Sequence, residues 1–305
     1  MTTRPPKILL LGKDGQLGWE LQRPLSTIGP LVACDRQTVN LENLEELRSQ
    51  IRHHQPAFIV NAAAYTAVDK AETEQAKAYQ INETAVRVMA EEAYRLGAWL
   101  VHYSTDYVFD GEKTSAYTEE DAPHPLNVYG HSKLAGEVAI SSVDCKHLII
   151  RSGWLYSAHG SGFPLAILRR AIERDQIEVV ADSFGAPTSA HLVADVTAAI
   201  LHQINDPQQS EKLSGTYHLT ASGETSWYDF AQFLLGLARN RGLPIKATSN
   251  RVFPTTRASY GAVAARPENS RLETSLLRDR FRVHLPDWKI HANRFIEEVA
   301  RSRLL

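Results

Sequence analysis

The sequence predicts an α/β fold, a Rossmann-type doubly wound parallel sheet with a smaller C-terminal substrate-binding region. Three observations predict it. Apolar runs of strand length near Lys7, Leu31, Phe58, Trp99 and His147 alternate with amphipathic helical stretches near Gln16, Glu42, Ala76 and Asn127. Such alternation builds a parallel sheet whose right-handed crossovers cover both faces. A glycine-spaced turn follows the first run, and after about Ser152 the alternation loses its regularity. The expected division is 1–152, mainly an NAD(P)-binding Rossmann domain, and 153–305, mainly a substrate-binding region with some segments returning to the sheet.

The first apolar run, 7–11, leads directly into Gly12-Lys13-Asp14-Gly15-Gln16-Leu17-Gly18. In such a turn the first glycine permits the tight exit from the strand and the second lets backbone approach a pyrophosphate. The third lets the new helix pack on the sheet. Amides at the helix N-terminus then face the phosphates. The spacing is GxxGxxG rather than GxGxxG. About twenty residues on, Leu31-Val32-Ala33-Cys34 reads as a second strand ending in Asp35, placed to hold the adenosine ribose hydroxyls. Arg36 follows, and its guanidinium suits a 2′-phosphate. The choice between NADPH and NADH stays open.

The third run, Phe58-Ile59-Val60-Asn61, ends in Ala62-Ala63-Ala64, small residues that let a cofactor lie against backbone. Ligands of open parallel sheets bind beyond the C-terminal strand edges, where Ala64, Tyr65, Thr105 and Asp106 fall. A helix expected over 127–143 carries Tyr129 and Lys133, downstream of Ser104-Thr105-Asp106-Tyr107-Val108-Phe109-Asp110-Gly111. Residues four apart share a helix face. There a phenol can act as general acid toward a carbonyl oxygen if a neighbouring ammonium lowers its pKa.

In the second half we expect a helix over 163–173, a strand over 177–180 and a helix start at Ser226-Trp227-Tyr228-Asp229, with the acidic residue three beyond the cap. The segment 254–269, with Arg257 and Arg266 but few periodic apolar positions, reads as a long loop of the kind that often binds ligands.

The 305 residues carry a formal net charge of −2 with no basic stripe, so neither nucleic acid nor an anionic membrane is an expected partner. Cys34 and Cys145 are the only cysteines and read as buried structural thiols. Arg4 and Lys7 precede an apolar run that breaks at Gly12 and Asp14, too short for a signal peptide or a span. A cytoplasmic protein is expected.

With these motifs in order, the chain resembles the extended short-chain dehydrogenase/reductase superfamily. Within it, longer stretches resemble the dTDP-4-dehydrorhamnose reductase family. They are Gly12 through Trp19-Glu20-Leu21, Asn61-Ala62-Ala63-Ala64-Tyr65-Thr66-Ala67-Val68-Asp69, His102-Tyr103 into Phe109, Pro125-Leu126-Asn127-Val128-Tyr129-Gly130, Phe184-Gly185-Ala186-Pro187-Thr188 and Arg266-Pro267-Glu268-Asn269-Ser270-Arg271-Leu272. The resemblance implies hydride transfer from NADPH or NADH to the ketone carbon of dTDP-6-deoxy-L-lyxo-4-hexulose, giving dTDP-L-rhamnose for a cell-surface glycan. It implies that Tyr129 protonates the alkoxide, that Lys133 depresses the phenol and holds the nicotinamide ribose, and that Thr105 hydrogen-bonds the ketone or the tyrosine. Cofactor contacts would come from Gly12, Gly15, Gln16, Leu17, Gly18, Asp35, Arg36, Asn40, Leu41, Ala63, Ala64, Tyr65, Thr66, Tyr103, Tyr129 and Lys133. Thr105, Asp106 and Trp154 would meet the sugar, and Arg266 the diphosphate.

The chain also departs from the family pattern. Asn40 and Leu41 replace an acidic-aromatic pair against the adenine, Ser183 replaces a glutamine, and His191 stands where some relatives have a glutamate linked to a magnesium-dependent dimer. Mg2+ and a homodimer are therefore implied by resemblance only. Glu20, Glu297 and Glu298 read as a solvated surface cluster. Two other readings of the same motifs remain: a non-catalytic regulatory subunit of the methionine adenosyltransferase beta type, and a nucleotide-sugar epimerase.

Overall fold

The computed structural model describes residues 5–205 and 213–302, so Arg4 lies outside the described residues. The first half runs β1 (Ile8–Leu11), α1 (Gln16–Leu25), β2 (Leu31–Cys34), α2 (Leu44–His54), β3 (Phe58–Asn61), α3 (Val68–Ala71), α4 (Gln75–Tyr79), a π turn (Gln80–Thr84), α5 (Ala85–Leu96), β4 (Trp99–Thr105), α6 (Val128–Ser141) and β5 (Lys146–Ser152). The second half supplies β6 (Leu155–Tyr156), α7 (Phe163–Glu173), β7 (Ile177–Val180), β8 (Phe184–Gly185), β9 (Thr188–Ser189), α8 (Ala190–Ile204), β10 (Gly215–His218), β11 (Thr225–Ser226) and β12 (Val252–Thr255). Helices Trp227–Asn240 and Trp288–Ser302 follow β11 and close the chain, respectively.

Six parallel strands form the main sheet in the order β10-β5-β4-β3-β1-β2. Its order reverses at β1, so the crossovers put layers on both faces. Ile8, Leu10, Phe58, Val60 and Val101 point to one face, where α1 and α8 pack. Leu9, Leu11, Ile59 and Leu100 point to the other, against α2 and α5. All four residues of β1 are buried, as a central strand covered on both sides requires. Both α8 and β10 come from beyond Ser152. Cys34 and Cys145 are buried free thiols.

The helix starts obey local rules. Asn43 caps α2 through the Glu46 amide, and Asn127 caps α6 by accepting from Gly130 N at 2.8 Å. Ser226 accepts from Asp229 N at 3.0 Å while its hydroxyl donates to the Asp229 carboxylate at 2.7 Å, closing the expected cap. The helix expected over 163–173 and the strand over 177–180 occur with those bounds.

The segment 254–269 is not the uniform loop expected. Its start belongs to β12, which pairs in parallel with β7, and Arg257–Tyr260 forms a short helix. Strand pairing across so long a separation leaves no local periodic signal, and Pro254 fits because β12 pairs on one side only.

Helix α6 lies tight on its neighbours at two glycines. A Cβ on Gly130 would stand 2.2 Å from Tyr107 O, and one on Gly136 2.2 Å from Asn82 O. The same helix is tied to β5 by a buried bidentate pair, Arg151 Nη2 to Glu137 Oε2 at 2.6 Å and Arg151 Nε to Oε1 at 3.0 Å. Removing one partner leaves the other charge buried and uncompensated. Glu137→Ala should therefore lower unfolding free energy by about 3–5 kcal/mol, measured by denaturant titration; a loss under about 1 kcal/mol would show that the pair behaves like a surface one.

Candidate active site

A cleft of ≈ 1110 Å³ runs across the C-terminal edge of the sheet, from the turn after β1 to the segment after β5. At one end Gly12, Gly15, Gln16 and Leu17 form the wall. Gly12 sits at φ +83°, and a Cβ there would come within 2.7 Å of Ala63 N, so the turn accepts only glycine. Gly12 N and Lys13 N both donate to Cys34 O, at 2.9 and 3.0 Å, which closes the turn onto β2. Gly18 does not line the cleft. A Cβ there would stand 1.9 Å from Gly12 O, so its role is close packing of α1 under the turn. Gln16 donates across the cleft mouth to Ser161 O.

Asp35, Arg36, Asn40 and Leu41 all line this end. Asp35 is already engaged: Lys13 Nζ lies 2.9 Å from one carboxylate oxygen, and the other accepts from Gln37 N and Thr38 N at 2.9 Å each. The Lys13 hydrogen bond, then the Thr38 amide, hold its carboxyl well below the usual range. Arg36 pairs with Glu42 at the exposed rim. Asn40 Oδ1 accepts from Glu42 N at 3.1 Å, and Leu41 is buried. Lys13 was not singled out from sequence, because nothing local says its amine folds back on Asp35.

Ala63, Ala64, Tyr65 and Thr66 line the middle. Tyr65 is pinned by Asn82, which accepts from Tyr65 N at 2.8 Å and donates to Tyr65 O at 3.0 Å and to Ser132 Oγ at 2.9 Å. Asn82 lies in the π turn, a feature invisible to helical periodicity and one often found at functional sites.

At the far end Tyr129, Lys133, Thr105, Asp106 and Trp154 converge with Tyr103 and Tyr107. The Tyr129 phenol is pushed up to about 12 by burial, with Asp106 adding to the rise and a hydrogen bond with Thr105 opposing it. Lys133, expected to depress the phenol, is not among the causes that set it in this geometry. Lys133 Nζ donates instead to Tyr103 O at 2.6 Å and meets His102 Nε2 at 3.2 Å. Burial lowers Lys133 to about 8, against an upward pull from Glu137. The Tyr103 phenol turns away to Thr197 Oγ1 at 2.9 Å. Thr105 Oγ1 accepts from Tyr107 N and donates to Asp106 Oδ1, both at 3.1 Å. Burial raises Asp106 to about 6, with the Ser270 and Thr105 hydroxyls pulling it down.

Trp154 adopts φ +49° and stacks on Trp227 with centroids 3.6 Å apart, and its ring also lies close against Gly185. It is thus a packed ring that also lines the cleft. Arg266 does not line it. Its guanidinium pairs with Asp69 at 2.9 Å and neighbours Tyr107.

Of the carboxylates named for a metal, Glu297 and Glu298 line a surface pocket with His191. Glu20 is buried rather than solvated, receiving Ser157 Oγ at 3.0 Å and lying 3.0 Å from His191 Nε2, while Glu297 pairs with Arg241. Among the described residues no three acidic, histidine or cysteine side chains cluster as a metal set. Among the described residues no helix is long and apolar enough to cross a membrane.

The sequence family described as RmlD substrate binding domain matches residues 6–301. The chain is 46% identical to dTDP-4-dehydrorhamnose reductase of Escherichia coli (strain K12), over 96% of this chain and 97% of that one. It is 43% identical to the dTDP-4-dehydrorhamnose reductase of Burkholderia thailandensis, over 93% of this chain and 95% of that one. A crystal structure of dTDP-4-dehydrorhamnose reductase from Bacillus anthracis str. Ames in complex with NADP superposes with a TM-score of 0.88 at 33% identity, covering 97% of this chain and 100% of that one. The glycine turn, the Tyr129/Lys133 helix and this full-length similarity together place the chain in the RmlD substrate binding domain family.

Proposed function

We propose that this chain reduces the 4-keto group of dTDP-6-deoxy-L-lyxo-4-hexulose to dTDP-L-rhamnose with NADPH or NADH. The observation that carries the reading is one cleft with Gly12 and Gly15 at one end and Tyr129, Thr105 and Lys133 at the other. The cradle fits a dinucleotide: glycine is obligatory where the Gly12 turn meets Ala63, and α1 opens its free N-terminal amides into the cleft. Gly12, Gly15, Gln16 and Leu17 would hold the pyrophosphate; Asp35, Arg36, Asn40 and Leu41 would hold the adenosine; and Ala63, Ala64, Tyr65, Thr66 and Tyr103 would border the nicotinamide half. Gly18 supports this cradle through packing. When bound, the reduced nicotinamide supplies the hydride.

The protein supplies geometry and a proton. With its pKa near 12, Tyr129 keeps its phenolic proton at neutral pH and delivers it from Oη to the oxygen that gains charge. Thr105 orients the phenol and the ketone, and Lys133 presents charge toward the ribose. Asp106 and the Trp154 ring edge would contact the deoxysugar. Arg266, held by Asp69 beside Tyr107, would meet the diphosphate by exchanging that partner. Residues 1–152 then serve mainly the cofactor and 153–305 mainly the substrate, with α8 and β10 contributed back to the sheet. We place the protein in the cytoplasm and assign it a homodimer.

Purified protein given dTDP-4-keto-6-deoxyglucose with its 3,5-epimerase should oxidise reduced cofactor only when the epimerase is present; no oxidation despite measured cofactor binding would favour a non-catalytic role. Tyr129→Phe should lower kcat by about 10²–10⁴ with cofactor Kd nearly unchanged, checked by steady-state kinetics and fluorescence titration. Arg36→Ala should reduce kcat/KM for NADPH about tenfold more than for NADH, and equal losses would remove Arg36 from 2′-phosphate recognition.

A further inference from the structure

A chain of hydrogen bonds under the catalytic helix joins the cleft-lining turn after β3 to Lys133. His102 on β4 is fully buried. Its Nδ1 lies 3.1 Å from Asn61 Nδ2, and its Nε2 lies 3.2 Å from Lys133 Nζ. On the far side of Asn61, the Ala63 amide donates to Asn61 Oδ1 at 3.1 Å. Gly136 on α6 lies alongside, where a Cβ would be in ordinary contact, 3.7 Å from His102 Nε2.

The direction of the chain follows from the backbone. A peptide N–H is a donor whose orientation is set by the planar peptide, so the Asn61 oxygen must face Ala63 and its NH2 must face His102. His102 Nδ1 therefore accepts. A ring that accepts at Nδ1 is a neutral imidazole with its single proton on Nε2, and that N–H points at the lysine nitrogen. Burial, then the nearby Lys133, hold His102 well below its ordinary value, in keeping with a neutral ring. An ammonium at Lys133 would oppose donor to donor there, whereas an amine accepts from Nε2–H and still donates to Tyr103 O at 2.6 Å.

We propose that His102 is a positioning residue for Lys133: the Ala63 amide, acting through Asn61, locks the Nε2–H tautomer, which hydrogen-bonds the lysine nitrogen and favours its uncharged form. The inference rests on the reductase reading only for its effect on turnover; the tautomer itself is independent of it. The other groups shown to bear on Lys133 are Glu137 on its own helix and the Tyr103 carbonyl on β4. Glu137 pulls the lysine upward, but its carboxylate is shared with Arg151. The hydrogen-bond chain gives the turn at Ala63, which lines the cleft, a direct hold on the charge of the lysine.

The test is 15N NMR of the His102 ring, with 13Cε titration of Lys133, in the full-length protein. The wild type should show His102 protonated at Nε2 only, from about pH 6 to 9. Asn61→Asp offers an acceptor to both Ala63 N and His102 Nδ1, so the ring proton should move to Nδ1, turning Nε2 into an acceptor for the ammonium. The Lys133 titration, and with it the alkaline limb of the kcat profile, should then rise by about one pH unit. An Nδ1–H ring or an imidazolium in the wild type overturns the proposal even if the variant does not fold. So does a tautomer switch in Asn61→Asp that leaves Lys133 unmoved. Because both NMR readouts are taken without turnover, their failure is separable from failure of the reductase assignment.

Discussion

Everything at the reacting end of the cleft depends on how closely α6 approaches the sheet. Side-chain-free contacts at Gly130 and Gly136 bring the helix against Tyr107 O and Asn82 O, distances no alanine would tolerate. The approach puts Tyr129 beside Thr105 and drives the Lys133 amine into the sheet edge, where it is buried. The Arg151–Glu137 pair then fixes the helix from below. A buried ion pair is weak evidence of net stability, because desolvation offsets most of its attraction. What it provides here is register: α6 cannot slide along β5 without stranding a charge.

Burial sets the protonation states as much as charge does. Tyr129 and Asp106 are pushed up and Lys133 down, in each case with desolvation as the first cause. A phenol kept protonated suits a donor, and an amine lowered toward neutrality suits a group that must gain and lose a proton. The arrangement separates the two members of the pair that the helical repeat puts on one face. Tyr129 hydrogen-bonds Thr105, while Lys133 bonds the β4 backbone and His102.

The other end of the cleft is built on backbone. Gly12 has a positive φ and no room for a side chain, so the turn, Ala63 and the start of α1 form one surface. The side chains around it are committed to one another: Lys13 to Asp35, Arg36 to Glu42, Gln16 to Ser161. The two cations at this rim are each matched by a carboxylate, Lys13 by Asp35 and Arg36 by Glu42, so a 2′-phosphate would meet Arg36 only by displacing Glu42.

The alternation of strands and helices, the glycine turn, the caps at Asn127 and Ser226 and the Tyr129/Lys133 spacing were all determined by the sequence, because each is governed by contacts within a few residues. Tertiary structure decided the partners. Arg266 meets Asp69 across 197 residues, Gln16 meets Ser161 across 145, and Asn61 meets His102 across 41. It also decided that 252–255 is a strand, that Glu20 is buried against His191, and that Lys133 faces an imidazole rather than the phenol. Such contacts join segments whose separation in the chain carries no periodic signal, and their sign depends on burial and donor direction, which exist only once the layers have packed.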